Sequence, residues 1–589
     1  MTSNDRYRLG AALIAVAGIG VRIGYVLAQP DSDPWFSRPT MDGAIYVDWA
    51  RSLLEGHGSP SGAYYQAPGY PWFLTGFFAV AGFGFSLLYI FQHGLVVASA
   101  WLLGEVSRKS AGEVAGWATM ILGLGYQPLL FFASRPVGEA LAIFLLSSAI
   151  LALSGRSPRM VGLAGLLVGV AVLVRPNFLL IPLAWIVLGV FRKRTRSSAI
   201  LAGCVMIVLL PVAIRNYVAS GHFVPVSSNA GLTLYHGNGP GALGIFTPPD
   251  RFSGRVDLQR DESTRIAREQ TGNQALDAVE ADRWWAGQAV DARLRSIGET
   301  TVLLLRKITL TVASTEIGLD YHPGIDENRW RRAAPFSFAL ILGLAAAGWF
   351  PRKGGGEKCG NVLVAAAALA ITPILFYVSS RYRLPLATVL LVPAGAGLSW
   401  IAHECRNGWR RCMVCLLLPV SLGIVSWQMP TAGLQEATLA GALANRAGAW
   451  QKLGRAGKAG KDISEALAMD GESSPIWFQQ GSILEANDDL GGAVKAYRAA
   501  HELAPLNPDV AGNLAGVLIK TGRAGQAAEL LGPVVAGSPW HRVCQVNRVV
   551  ALAGSGDYQE AGVAAHEAAA AGIELPPALL AAIETGKME

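Results

Sequence analysis

The chain has 589 residues, of which 52% are hydrophobic and 15% charged, with a formal net charge of +7 and a mean hydropathy of +0.35. That composition excludes an ordinary soluble enzyme and sets the expectation of a multi-pass membrane protein. The basic excess calls for no nucleic-acid partner, because much of it falls in short loops between apolar runs.

The first apolar run, Leu9 to Ala28, follows Arg6 and Arg8 and is long enough for a hydrocarbon core of about 30 Å. No small-x-small cleavage site precedes the acidic loop beyond it, so it reads as a retained span rather than a signal peptide. Further runs lie near 86–106, 112–131, 137–154, 160–174, 178–191, 198–217, 333–350, 361–378, 384–401 and 412–428, about eleven spans in all. Residues 160–191 read as two short spans or a re-entrant pair, because Arg175-Pro176-Asn177 interrupts them.

Lys and Arg cluster at Arg108 and Lys109, Arg156 and Arg159, Arg192 to Arg196, Arg352 with Lys353 and Lys358, and Arg406 with Arg410 and Arg411. If these loops are cytoplasmic, the N-terminus is inside a cell (inner) membrane. Loops 29–85, 132–136, 218–332 and 379–383, and everything after Trp427, then face the outer or periplasmic side.

In the first outer loop, Thr40 and Asp42 open a predicted helix that ends at Gly56, with Ile45, Trp49 and Leu53 as its apolar stripe. Asp42 in the first turn reads either as a helix cap or as a base beside the bilayer, while Asp48 lies on a solvated face. Five arginines, Arg135, Arg175, Arg215, Arg381 and Arg383, sit at outer ends of spans, against the positive-inside trend, and Arg22 lies inside the outer half of the first span. Singly each reads as a snorkelling anchor; together with Asp42 and Glu139 they outline an outward cavity for a phosphorylated lipid. No Walker A motif supports a nucleotide donor, and a lipid-phosphate donor needs none.

The long loop from 218 is Gly/Pro/Ser-rich through Pro249, then charged and helical in pattern to Glu299, and is placed as a lid over that cavity. Its Trp284 and Trp285 read as a stacking surface for a sugar or as interface anchors. Residues 300–313 are apolar but broken by Arg306 and Lys307, a surface helix or partial span. Cysteines at 204, 359, 405, 412, 415 and 544 imply no structural disulfide, and Cys412 and Cys415, at the start of a span, lack a redox or metal context.

Beyond the last span the chain turns rich in Ala, Gly and charge. Ala459, Ala493, Ala527 and Ala561 recur every 34 residues, each five residues after a turn residue, Gly454, Asp488, Gly522 and Gly556. Pro505 and Pro539 keep the same register, and Trp477, Gly481, Tyr497 and Ala500 fill one copy. The period resembles tetratricopeptide repeats over 440–573, helix pairs that stack into a short solenoid. Such a solenoid either stabilises the membrane part or offers a platform to an acceptor, a protein partner or a second copy.

Four segments carry a second resemblance: Met41-Asp-Gly-Ala-Ile-Tyr46 with Ala67-Pro-Gly-Tyr-Pro71; Arg135-Pro-Val-Gly-Glu139; Pro211-Val-Ala-Ile-Arg-Asn-Tyr217 running into Gly237-Asn238; and Arg381-Tyr-Arg-Leu-Pro385. Together they resemble a GT-C glycosyltransferase of the family 39 type, whose relatives include protein O-mannosyltransferases and the lipid A aminoarabinose transferase. The resemblance implies an all-α, polytopic membrane bundle over 1–430, followed by the tetratricopeptide α-solenoid over 431–589.

It also implies transfer of a sugar from a polyprenyl-phosphate donor to an acceptor hydroxyl on a glycan, lipid or protein at the outer face. Asp42 is the implied general base and Glu139 a second acid that orients the acceptor or a metal. Arg381 and Arg383 are implied contacts of the lipid phosphate, joined by Arg215 and Arg175. Tyr46, Tyr65 and Trp284 are candidate acceptor or sugar contacts. A divalent metal stays open, because Tyr65-Gln66 stands where relatives often carry an acidic-basic pair.

Two rival classes remain. One is a lipid-linked oligosaccharide polymerase or ligase, which needs a base on a long outer loop, whereas the acid here follows the first span. The other is a non-catalytic scaffold or transporter with a repeat docking domain, although no duplicated set of broken spans is visible.

Overall fold

The computed structural model describes residues 2–155, 157–249, 252, 255–319, 321–349, 360–431, 433–539 and 541–586. Of the basic-loop positions, Arg156, Arg352, Lys353 and Lys358 lie outside these, as does Cys359. Among the described residues the chain is helical throughout; no strand forms, and the only bridge is an isolated one between Tyr126 and Phe336.

The predicted apolar runs are helical over most of their lengths, with 112–131 split into Glu113–Leu124 and Gln127–Phe132. Among the described residues five helices are long and apolar enough to cross a membrane: Asn4–Ser32, Phe85–Ala111, Thr195–Ser220, Ser380–Arg406 and Trp409–Gln428. Six are shorter: Glu113–Leu124, Glu139–Ser154, Pro158–Val174, Pro176–Phe191, Phe338–Gly348 and Gly360–Leu375. The chain is a membrane protein. Ser380–Arg406 is the central helix, buried along most of its length, whereas Trp409–Gln428 exposes Met413, Leu417, Val420 and Ile424. Such a row is stable only against lipid or protein.

The interruption at residue 175 is a sharp one: Arg175 is extended (φ −139°, ψ 96°) and ends Pro158–Val174, after which Pro176 starts the next helix. Proline fixes its own φ and disfavours a helical conformation in the residue before it, so the sequence itself dictates this break. Its consequence is that the Arg175 side chain leaves the helix end rather than the helix side.

Three expectations are corrected. Cys405 and Cys412 form a disulfide across the turn between the last two membrane helices, where none was expected. The reason is tertiary: that turn folds back tightly enough to bring the two sulfurs together. Of the predicted stripe, the first-loop helix, Met41–Leu54, buries Trp49 but leaves Ile45 and Leu53 half-buried, and it buries Gly43, Val47 and Ala50 as well, because other parts of the chain pack on that side. The same loop also contains a second helix, Gly69–Ala81.

The chain divides into two compact units, Met1–Thr247 with Arg260–Gln435, and Pro248–Gln259 with Glu436–Glu589. In the second, four helix pairs follow one another: Leu434–Lys452 with Ala456–Met469, Ser474–Ala486 with Leu490–Leu503, Pro508–Lys520 with Ala524–Gly537, and Arg542–Gly554 with Tyr558–Ala570. Ala459, Ala493, Ala527 and Ala561 are fully buried, so each permits the close helix approach its period predicts. All four turn residues are left-handed: Gly454 (φ +70°), Asp488 (+63°), Gly522 (+73°) and Gly556 (+88°). Three are glycines because a Cβ is strained there. Asp488→Gly should therefore stabilise the repeats by about 0.5 kcal/mol and Gly522→Val destabilise them by about 1–2 kcal/mol. Urea midpoints in the order D488G, wild type, G522V are expected; a lower midpoint for D488G would contradict the argument.

Candidate active site

The first-loop helix begins with Met41 at φ +51°, a conformation costly for a side chain that is neither Gly nor Asn. It turns the chain so that the next residue, Asp42, does not cap the helix. The cap position, Thr40, likewise makes no side-chain capping bond. Instead the Asp42 Oδ2 pairs with Arg381 Nη1 at 2.9 Å, and Gln66 Nε2 donates to its Oδ1 at 3.4 Å. The helix sits tightly on its surroundings: a Cβ at Gly43 would lie 3.0 Å from Tyr321 Oη and 3.1 Å from Pro136 Cγ. The Tyr321 hydroxyl in turn donates to Thr40 O at 2.9 Å.

Arg381 occupies the first turn of Ser380–Arg406, whose N-terminus is capped by the Ser379 side chain accepting from Tyr382 N. A cation at the positive end of a helix is unfavourable, so the two carboxylates around it are needed. The second is Glu139, whose Oε1 accepts from Arg381 Nε at 2.8 Å and pairs with Arg175 Nη1 at 3.1 Å. Glu139 itself opens Glu139–Ser154, where the same dipole favours an acid. Arg175 also lies over the Tyr382 ring, 5.4 Å from its centroid.

The cluster is graded in depth. Asp42 keeps 25% of its side chain exposed, whereas Glu139 keeps 1%. Asp42 is thus the acid open to solvent, and Glu139 is the floor. Several buried polar atoms beside them have no hydrogen-bond partner: Arg175 Nε and Nη2, Glu139 Oε2, Gln66 Oε1 and Ser380 Oγ. Unmade bonds at buried donors cost about 1–3 kcal/mol each, more for charged groups, so the arrangement is one that a polar ligand would complete.

Glycines set the spacing. A Cβ at Gly69 would stand 2.6 Å from the Leu173 carbonyl carbon, so the Ala67-Pro-Gly-Tyr-Pro71 motif lets its helix abut the chain just before Arg175. A Cβ at Gly237 would stand too close to Phe376 O to be accommodated, which ties the Ala230–Asn238 helix to the segment leading into Arg381. Asn238 Nδ2 donates to Leu375 O at 2.9 Å, and the buried Lys307 Nζ donates to Asn238 Oδ1 and Phe376 O, both at 2.7 Å. Asn216 does similar work in the first loop, accepting from Tyr64 N and donating to Val224 O and Val226 O. Ser380, the bond of Gln66 to Asp42 and the latch of Lys307 on Asn238 were missed by sequence reasoning, which named Gln66, Asn238 and Lys307 for other reasons, since each matters only through residues distant in the chain.

Lys307 has no acidic partner in that latch, and burial, with Arg293 repulsion adding to it, holds its ammonium pKa down to about 7. A base whose folded pKa is depressed penalises the folded state at low pH, and the penalty disappears as pH rises between the folded value near 7 and the unfolded value. Melting temperature is expected to climb across that window, and Lys307→Met should flatten the climb; an unchanged slope in K307M would refute the assignment.

The structure does not bring all the predicted arginines together. Arg383, two residues beyond Arg381, lies on the other side of the helix, as residues about 200° apart must. It pairs with Glu316 at 2.9 Å, donates to Ala313 O and Thr315 O, and covers the Phe338 ring. Arg215 donates to Gly62 O at 2.5 Å and to Pro60 O, and lies over Tyr64. Arg135 pairs with Asp33 at 2.5 Å. Arg22, buried in the first span, donates to Leu124 O.

Tyr46, one turn after Asp42, meets Tyr70 edge-on, and burial pushes the phenols of both Tyr46 and Tyr65 well up, so they stay neutral donors. Trp284 packs against Trp285 and the small core of Ala267, Leu276 and Ala281. A divalent metal does not fit the Asp42–Glu139 pair as arranged, because two guanidiniums already neutralise both carboxylates. His222, Asp277 and Glu280 could group around an ion, but Asp277 and Glu280 form the capping box of Ala278–Arg295.

Residues 484–541 match the family model described as tetratricopeptide repeat. No curated protein matches the chain. Among solved structures, the crystal structure of ArnT from Cupriavidus metallidurans bound to undecaprenyl phosphate aligns over 86% of this chain and 80% of that one, at 13% identity and a TM-score of 0.40. The same protein in the apo state aligns over the same shares at 13% identity and 0.38. The apo oligosaccharyltransferase of Archaeoglobus fulgidus aligns over 77% of this chain and 59% of that one, at 14% identity and 0.38.

Proposed function

We propose that the membrane unit is a GT-C-type glycosyltransferase that moves a sugar from a polyprenyl-phosphate donor to an acceptor hydroxyl at the outer face of the membrane. The observation that carries this reading is a linked cluster in which a reachable carboxylate, Asp42, pairs with Arg381, and Glu139 joins Arg381 to Arg175, a guanidinium with two buried donors without partners. A phosphodiester that joins a polyprenol to a sugar needs both kinds of group: cations at its phosphate oxygens and a base at the incoming hydroxyl.

In the proposed cycle the donor phosphate takes bonds from Arg175 Nε and Nη2 and displaces Asp42 from Arg381. The freed Asp42 carboxylate removes the acceptor hydroxyl proton. The acceptor oxygen attacks the anomeric carbon as the bond from that carbon to the phosphate oxygen breaks, with inversion. Polyprenyl phosphate leaves with its new charge held by the arginines. Glu139 positions those arginines without touching substrate. Arg383 and Arg215, engaged by carbonyls and Glu316, hold the surrounding loops. Tyr46 and Tyr65 are the neighbours from which sugar or acceptor contacts are drawn.

The tetratricopeptide repeats form, in this reading, a platform for an acceptor or protein partner. The test is incubation of the purified protein with labelled polyprenyl-phosphate sugars and candidate acceptors, followed by mass spectrometry. A glycosylated acceptor with release of polyprenyl phosphate is expected. Binding of the repeats to a partner, without transfer from any donor, would instead favour the scaffold.

A further inference from the structure

Glu139 and Arg175 mark one end of the Glu139–Ser154 and Pro158–Val174 helices. At the other end of the same helices, about 20 Å away at 1.5 Å per residue, the structure has a cavity ≈ 280 Å³ in volume. It owes nothing to the proposed transferase reading. Its lining joins polar and cationic residues, Arg192, Arg194, Ser197 and Asn361, to an apolar set that includes Leu153 and Leu201.

The two arginines flank Lys193, which is left-handed at φ +56°. Arg192 lies against the start of Gly360–Leu375: a Cβ on Gly360 would stand 2.6 Å from its Nη2. That places a guanidinium against the first described residues of this helix, beside Asn361 of the same lining. Among the described residues, no acidic side chain lines the cavity.

We infer that this cavity binds the phosphate of an anionic phospholipid, its headgroup between Arg192, Arg194 and the first turn of Gly360–Leu375, and its proximal acyl carbons on Leu153 and Leu201. A membrane lipid is favoured over a soluble anion because the lining joins apolar residues to cationic ones, as a phospholipid joins acyl chains to a phosphate. Basic pockets between membrane helices recognise lipid headgroups by this combination of charge and apolar wall.

The test is native mass spectrometry of the purified full-length protein after delipidation and exposure to dioleoyl phosphatidylglycerol or dioleoyl phosphatidylcholine. Wild type should retain the phosphatidylglycerol preferentially. The double variant Arg192→Ala, Arg194→Ala should retain about 30-fold less, from roughly fivefold per basic residue. Asn361→Asp, which adds a negative charge to the lining, should weaken retention independently if the double variant folds poorly. Arg196→Ala, in the same turn but outside the lining, should match wild type. Equal retention of both lipids, equal loss in Arg196→Ala, or unchanged retention in both cavity variants would overturn the proposal. Displacement of the phospholipid by excess inorganic phosphate would do so as well, by making it a free-anion site.

Discussion

Asp42→Asn is expected to lower sugar transfer by about 10²- to 10⁴-fold, the scale of a positioned general base, while leaving the protein folded and the donor bound. The two halves of that expectation have separate causes. Asparagine keeps the shape of the side chain but cannot accept a proton from the acceptor hydroxyl. The fold tolerates the change because Arg381 retains its 2.8 Å bond to the buried Glu139, whereas the Asp42 pair is partly exposed and contributes little to stability. Turnover measured under saturating donor, beside a melting curve, separates them. Wild-type turnover in a folded Asp42→Asn protein would remove Asp42 from the chemistry.

The membrane helices were legible in the sequence because their signal is local: a run of apolar residues long enough for a bilayer needs no partner to be recognised. The repeats were legible for a related reason, since the four alanines and four left-handed turn residues impose the same local demand every 34 residues. The site was legible only in part. Arg175 stood out as a charge interrupting an apolar run, and its extended backbone follows from Pro176. Asp42, Glu139 and Arg381 were singled out through the motifs that contain them. Which cation meets which acid was not readable, because Asp42 and Arg381 are brought together by packing across hundreds of residues.

Helical geometry alone could have separated Arg381 from Arg383, since residues at i and i+2 cannot share a face. The disulfide between Cys405 and Cys412, and the latch of Lys307 on Asn238, required the turn and the loop to be folded first.

Glu139→Gln is expected to act in the opposite way to Asp42→Asn, by destabilising the membrane unit by about 3–5 kcal/mol. Glu139 Oε1 serves both Arg175 and Arg381, and all three side chains are buried. The amide that replaces it carries no charge, so Arg175 is left without a carboxylate and Arg381 keeps only the partly exposed Asp42. The cost is set by the stranded charge rather than by the lost bonds, and this can be checked. Combining Glu139→Gln with Arg175→Met removes the stranded charge, so the double variant should melt closer to wild type than the sum of the single effects predicts. Strict additivity would show that Glu139 and Arg175 are not energetically coupled. A wild-type melting temperature in Glu139→Gln would mean that the floor of the site does not depend on its charge. Loss of melting temperature in one variant and of turnover in the other would assign the two acids of this site to different work: Glu139 to holding the arginines in place, and Asp42 to the proton.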